Sequence, residues 1–197
     1  MTLVRNEGNI FPPANLDTTC TIVLAENRYG QQGRKLMEEI HRRSTKMKVT
    51  FLDAGMSKPS IDEAAQAAAG CGSIVIAAYA TVGAYRGNVA LPGEFTGFVN
   101  TLLAGNAPVT LISLGSPYMI RSFSNAKAYA ATFSTTTTSE TAVVKAMFGE
   151  IPISGHLPVT IPGIAKIGDG LQLPASRSAK PAVTASRATR NPKHKGS

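Results

Sequence analysis

Short, almost fully apolar segments alternate along the chain with longer segments whose apolar residues recur every three or four positions. Residues 18–25 read Thr-Thr-Cys-Thr-Ile-Val-Leu-Ala, a strand-sized run rich in β-branched side chains. Residues 31–44 instead place Leu36, Met37 and Ile40 on one helical face, with basic and acidic residues on the others. Strands that are apolar almost throughout require a sheet covered by helices on both faces.

The same alternation continues through the rest of the chain. It predicts five strands, at residues 18–25, 48–53, 73–80, 108–114 and 126–132. It predicts four helices, at residues 31–44, 60–69, 93–104 and 139–148. Ser60, with Glu63 three residues later, has the spacing of a capping box at the start of the second helix. We therefore expect a doubly wound α/β sandwich with a mostly parallel sheet of five or six strands, and ligand contacts beyond the carboxyl ends of those strands.

The composition is that of a single globular domain. The chain has 197 residues, of which 43% are hydrophobic and 16% charged, so it can form one core. No apolar run approaches the ~20 residues of a membrane-spanning helix, and the first residues lack the pattern of a secretory signal peptide. As written, the chain is expected to be cytoplasmic and without a membrane partner, although a full-length parent could be exported.

The net charge of +8 is concentrated at the carboxyl end. Residues 164–197 hold seven basic residues and one acidic residue, whereas residues 1–163 hold thirteen basic and eleven acidic residues. This pattern predicts a lead-in resembling a linker at 1–17, a folded domain at 18–173 and a disordered basic tail at 174–197. An alternative function is a non-catalytic module whose tail binds polyanions. The tail has no aromatic residue for base stacking, so nucleic acid is not the expected partner.

Side chains that carry chemistry are sparse. Cys20 and Cys71 are expected to be free thiols buried beside strands, and three scattered histidines do not have metal-ligand spacing. The glycines after the first strand match no phosphate-binding motif, Ser113 lacks the glycine of a nucleophile elbow, and Asp53 is expected to cap a turn or lie at the surface. Neither a metal nor a cofactor is expected. A flavodoxin-like cofactor binder is a further alternative that rests on fold class alone.

A group of motifs in the second half resembles a known family. Residues 114–118 read Leu-Gly-Ser-Pro-Tyr, 126–132 form a strand of alanine and tyrosine, 144–150 end in Ala-Met-Phe-Gly-Glu, and 155–160 read Gly-His-Leu-Pro-Val-Thr. In this order they resemble the C-terminal (second) domain of glycoside hydrolase family 3, in the style of its β-N-acetylhexosaminidase and β-glucosidase members. The resemblance extends over residues 1–173.

The resemblance implies an accessory function. In that family the nucleophile, an aspartate, and the main sugar-binding residues come from an N-terminal β/α barrel, and some members add an acid/base glutamate from a loop of the second domain. Residues 72–93, which contain the corresponding loop, have no Asp or Glu. The resemblance therefore implies a detached or truncated domain of an enzyme that hydrolyses β-N-acetylglucosaminides or β-glucosides, without catalytic residues and inactive alone. Its partner would be the barrel, as a missing or separate chain, and carbohydrate would bind through that barrel.

Two residues are candidates for the rim of the substrate cleft. Tyr85 and Arg86 follow the third predicted strand, and Gly83 and Gly87 allow that loop to bend. An aromatic ring and a guanidinium group can both contact a sugar. An exposed surface that normally faces a barrel would also promote weak self-association.

Overall fold

The computed structural model describes residues 1–81 and 91–176 as a six-stranded sheet with helices on both faces. The strands are β1 Thr2–Asn6, β2 Thr19–Ala25, β3 Lys48–Asp53, β4 Ser73–Ala80, β5 Val109–Gly115 and β6 Ala128–Ala131. The α-helices of the described residues are α1 Arg34–Arg43, α2 Lys58–Ala69, α3 Phe95–Leu103 and α4 Thr137–Met147. The predicted doubly wound α/β architecture is confirmed.

The strand order is β1-β6-β5-β4-β2-β3. Strands β2 to β6 are parallel, and β1 pairs with β6 in the antiparallel direction. From β2 the chain first adds β3 on one side and then returns to add β4, β5 and β6 on the other. The order therefore reverses between β2 and β4, and the crevice beyond their carboxyl ends is where such sheets bind ligands.

Each face of the sheet has its own apolar layer. Along β2, Ile22 and Leu24 pack beneath α2 and α3, whereas Val23 packs beneath α1 and α4. The same alternation continues along β4 and β5, because successive side chains of a strand point to opposite faces. Both faces are covered, which explains why the central strands are apolar almost throughout.

Strand β1 was not predicted from the sequence. It lies within the segment expected to be a lead-in, and its register runs from Thr2 opposite Ala131 to Asn6 opposite Ala128. Only Thr2 and Leu3 are buried, because β1 is an edge strand. Its short apolar part, followed by Arg5, gives too weak a pattern to identify. The domain boundaries at residues 17 and 173 stay predictions.

Two of the expected helix ends can be compared with the structure. The predicted capping box is wrong: α2 begins at Lys58, so Ser60 lies inside the helix, and Ser57 at the N-cap makes no capping hydrogen bond. Pro59 in the first turn suits a helix start, because the missing N–H would have no helical partner there. At the other end of the sequence, Gly149 has φ 67° and follows α4, and its N–H donates to Ala146 O at 3.0 Å. Gly149 thus forms the left-handed cap that commonly ends a helix.

The expectation of free thiols is also wrong. Cys20 and Cys71 form a disulfide, with their Cα atoms 5.9 Å apart. The parallel pairing of β2 with β4 brings the start of β2 beside the turn that precedes β4. A separation of 51 positions gives no local signal of this contact. Within the described residues, no helix has the length and apolar character needed to cross a membrane.

Candidate functional site

A cavity of about 490 Å³ opens at the carboxyl ends of β4, β5 and β6. Its walls are residues 80–81, 115–118, 133–135 and 158–159. These residues come from four separate parts of the chain. The cavity therefore lies at the edge of the sheet where the sequence analysis expected ligand contacts. We call this end of the molecule the carboxyl edge.

The turn after β5 forms the floor of the cavity. Gly115 has φ 120°, and a Cβ atom there would collide with the carbonyl oxygen of Ala80, so this close approach of two strands requires glycine. Ser116 N–H donates to the same carbonyl at 2.9 Å. The hydroxyl of Tyr129 donates to Pro117 O at 2.9 Å from within the core, and burial raises the pKa of Tyr129. The turn is thus held by bonds from two neighbouring strands.

The cavity offers uncharged polar groups and apolar surface. Hydroxyl-bearing residues line it, including Thr81, Ser116 and Ser134, beside the rings of Tyr118 and Phe133. None of the described lining residues carries an acidic or basic side chain. In the described part of the chain, no group of three or more His, Cys, Asp or Glu is placed to hold a metal ion. Such a surface can pack against an uncharged polar ligand and hydrogen-bond to it, but it has no carboxyl pair.

A hydrogen-bonded cluster occupies the switch point between β2 and β4. The carboxylate of Glu26 accepts hydrogen bonds from Thr81 N–H at 3.0 Å and from the Thr81 hydroxyl. The Gln32 side-chain amide donates to Glu26 Oε2 at 2.9 Å, and its oxygen accepts from Glu26 N–H at 2.8 Å. Glu26 therefore ties the loop after β2 to the first residue after β4. The sequence analysis did not identify this role, because the partners are distant along the chain.

Asp53 has a structural role at the same edge. It is buried at the end of β3, where Oδ1 accepts from Gly55 N–H at 3.0 Å and Oδ2 accepts from Arg28 Nε at 3.2 Å. It caps the turn after β3, which is one of the two positions that the sequence analysis expected for it, the other being the surface. Its ion pair with Arg28 also holds the loop after β2 against the next loop.

Tyr29 is the exposed aromatic residue of this edge in the described part of the chain. Its ring is 87% exposed, in the loop between β2 and α1. The loop around it is ordered by hydrogen bonds, since Asn27 Oδ1 accepts from Gly30 N–H at 2.8 Å and Arg28 pairs with Asp53. The sequence analysis tested this loop only as a phosphate cradle. The sequence Arg28-Tyr29-Gly30, which follows a buried strand, could have indicated an exposed aromatic ring.

The buried carboxylate of Glu140 binds the end of the loop between β2 and α1. Glu140, in the first turn of α4, accepts from Gly33 N–H at 3.0 Å, from Leu36 N–H at 2.8 Å and from the Tyr79 hydroxyl at 2.6 Å. Burial, together with the hydrogen bond to Glu140, raises the pKa of Tyr79, so its hydroxyl stays protonated and donates. A side chain of one helix thus caps the amino end of another, α1.

The two predicted rim residues, Tyr85 and Arg86, lie outside the described residues, as do the basic residues of the tail beyond residue 176. Their assignments stay predictions. Asp62 and Glu63 are two carboxylates that a search for a catalytic pair would consider. Both are exposed on α2, where Asp62 pairs with Lys58 at 3.0 Å. Neither is among the residues that line the cavity.

Comparison with known proteins places the chain beside glycoside hydrolases. The family described as "Glycosyl hydrolase family 3 C-terminal domain" matches residues 1–193. A search of curated proteins found no match. Among solved structures, a fungal multi-domain family 3 β-N-acetylglucosaminidase is similar with a TM-score of 0.67 at 18% identity, over 84% of this chain and 18% of the other.

Two bacterial structures show the same fold. A family 3 β-N-acetylglucosaminidase from Paenibacillus sp. str. FPU-7 has a TM-score of 0.60 at 15% identity, over 75% of this chain and 28% of the other. A β-glucosidase from Erythrobacter marinus has a TM-score of 0.58 at 16% identity, over 87% of this chain and 33% of the other. The aligned regions thus cover one third or less of these three neighbours. Because the family profile matches nearly the whole sequence, the chain belongs to the glycosyl hydrolase family 3 C-terminal domain family.

Proposed function

We propose that this chain is the accessory second domain of a family 3 glycoside hydrolase and that its carboxyl edge forms one wall of the substrate cleft. The partner is a β/α barrel that supplies the catalytic carboxylates. The observation that carries the proposal is the cavity at the carboxyl edge, which combines hydroxyl groups and aromatic rings without a charged residue in its described lining. Sugars present hydroxyl groups and apolar faces, and this lining complements both.

The chain alone lacks the groups that hydrolysis needs. Glycoside hydrolysis requires two carboxyl groups on either side of one glycosidic bond. The described walls of the cavity contribute none, and the sequence from 72 to 93 contains no Asp or Glu. The carboxylate of Glu26, the first residue after β2, accepts hydrogen bonds from Thr81 and Gln32. We therefore assign the acid/base and nucleophile functions to the barrel.

The substrate class follows from the relatives. Two of the similar structures are named as β-N-acetylglucosaminidases and one as a β-glucosidase. A β-linked N-acetylglucosaminide or glucoside is accordingly the proposed substrate of the complete enzyme. Tyr85 and Arg86 are the proposed rim residues, and Tyr29 adds an exposed ring on the loop after β2.

Hydrolysis of chromogenic β-N-acetylglucosaminide and β-glucoside tests the proposal directly. The purified chain should release no chromophore alone and should restore activity when it is mixed with the separately expressed barrel of the same enzyme. A variant with Gly115→Val should restore less activity than the wild type, because its side chain would meet the Ala80 carbonyl and distort the cavity. Hydrolysis by the chain alone would contradict the accessory function.

A further inference from the structure

The Cys20–Cys71 disulfide lies in a hydrogen-bonded seam at the amino ends of the strands. Gly72 N–H donates to Thr18 O at 2.9 Å, and the hydroxyl groups of Thr19 and Ser73 are 2.8 Å apart. Both contacts join residues that directly precede Cys20 to residues that directly follow Cys71. The bond is at the opposite end of the sheet from the cavity, so it does not belong to the candidate site.

The disulfide closes a covalent loop that contains two of the six strands of the sheet. Residues 20–71 comprise nearly all of β2, together with α1, β3 and α2, and we call them the edge unit. Strand β3 is the outer strand of this unit and, among the strands of residues 1–81 and 91–176, pairs only with β2. Its first four residues, Lys48 to Phe51, are exposed or only partly buried. The edge unit therefore includes an edge strand of the sheet, with a neighbouring strand on one side.

The geometry is that of a structural disulfide. The Cα separation of 5.9 Å lies within the range that allows a disulfide without moving the backbone. Cys20 is 8% exposed and Cys71 is partly exposed, so the bond is largely covered by the seam. Closing a loop of this length reduces the entropy of the unfolded edge unit and so favours its folded state.

We propose that oxidation of Cys20 and Cys71 is a maturation step that stabilises the edge unit, and that the protein therefore acts in an oxidising compartment. The two thiols together lose two protons and two electrons as the S–S bond forms. The electrons pass by thiol–disulfide exchange to a disulfide oxidant, which is reduced to two thiols. Such bonds persist in extracytoplasmic compartments and are rare in the cytosol. This inference replaces the cytoplasmic location expected from the sequence.

Two measurements on the full chain test the inference. The thiol content of the denatured protein, purified after expression in an oxidising compartment, should be zero. Hydrogen exchange should then be compared between the oxidised chain, the chain reduced with a phosphine, and the Cys20→Ser, Cys71→Ser double variant. We expect amide exchange in β3 to accelerate about a thousandfold on reduction, from the loop-closure term for a separation of 51 residues. Exchange in β5 should change less than in β3.

The possible results separate clearly. Two free thiols in the protein from the oxidising compartment would overturn the proposal, and so would exchange in β3 that is unchanged or accelerated no more than in β5. If reduction unfolds the chain outright, reoxidation with glutathione disulfide replaces the exchange comparison. Recovery of the native circular dichroism spectrum together with zero thiols supports the proposal, whereas recovery with both thiols free overturns it. None of these readouts depends on the proposed glycosidase function.

Discussion

Glu39 is a buried carboxylate of α1 that stays ionised because cations surround it. Burial alone would raise the pKa of Glu39, but hydrogen bonds from Arg43, Lys35 and Arg42 outweigh that effect and lower the pKa to about 2. The side chain is only 5% exposed, so solvent screens these pairs weakly. Arg43 also pairs with Glu150 at 2.6 Å, which links α1 to the segment after α4.

This arrangement predicts an acid-dependent loss of stability. The pKa of Glu39 in the folded protein lies below its ordinary value of 4.5, so its contribution is present above pH 4.5 and is lost as the pH falls toward 2. The free energy of unfolding should lose about 3 kcal/mol over this window through Glu39. In urea titrations, the difference between wild type and Glu39→Gln should shrink across the same window. Glu38→Gln, at an exposed neighbour on the same helix, is the control. A constant difference between wild type and Glu39→Gln would contradict the assignment.

The rim residues can be tested in a parent enzyme that contains the barrel. We expect the Tyr85→Ala, Arg86→Ala double variant to raise KM about tenfold, as for the loss of one or two polar contacts. The value of kcat should change little, since the catalytic carboxylates are assigned to the barrel. Lys58→Ala, on the exposed surface of α2, is the control. Unchanged kinetics in the double variant would show that these residues do not contact the substrate.

At the scale of the secondary-structure elements, the start of α1 depends on a residue outside the helix. Its N-cap residue, Gly33, has no side chain to accept a hydrogen bond, and the Glu140 carboxylate of α4 takes that role. The same carboxylate accepts from Tyr79 on β4. One side chain therefore joins two helices and the central sheet, and it fixes the end of the loop that carries Tyr29.

Removal of this carboxylate should destabilise the fold. Glu140→Ala leaves the buried Leu36 N–H and the Tyr79 hydroxyl without their acceptor, whereas Gly33 N–H can still donate to the Tyr79 oxygen. We expect a loss of about 3 kcal/mol in the free energy of unfolding. Glu140→Gln keeps one acceptor oxygen and should lose less. Thr138→Ala, at an exposed position on the same helix, should have little effect on stability. The measurement is urea unfolding followed by circular dichroism, because the chain has no tryptophan. Equal stability of Glu140→Ala and Thr138→Ala would contradict the capping role.

At the scale of the whole molecule, three large apolar side chains of the described residues are exposed. Tyr29 is 87% exposed, Ile167 is 65% exposed and Leu171 is 45% exposed. In the absence of the barrel we expect weak self-association, because exposed apolar surface favours contacts between copies. Sedimentation velocity over a range of concentrations should show a rising average mass, and the added barrel should suppress it. A clean monomer at high concentration would contradict this expectation.

The sequence by itself determined the layered fold and the family. Apolar strands that alternate with amphipathic helices indicate a parallel sheet covered on both faces. Five of the six strands are predicted within about two residues of their observed ends. The turn at Gly115 and the helix cap at Gly149 are local features, because the positive φ and the glycine that permits it occur at the same residue. These features depend on neighbours along the chain, so they can be identified without knowing the fold.

Only the tertiary structure decided the contacts between distant residues. The Cys20–Cys71 bond, the capping of α1 by Glu140 and the Glu26–Thr81 contact join positions 51, 104 and 55 residues apart. The strand order brings these partners together, and a pattern of local periodicity contains no information about that order. For the same reason β1 was missed, because its pairing with β6 rather than its own short apolar run makes it a strand. The cavity at the carboxyl edge likewise exists only where loops from separate strands meet.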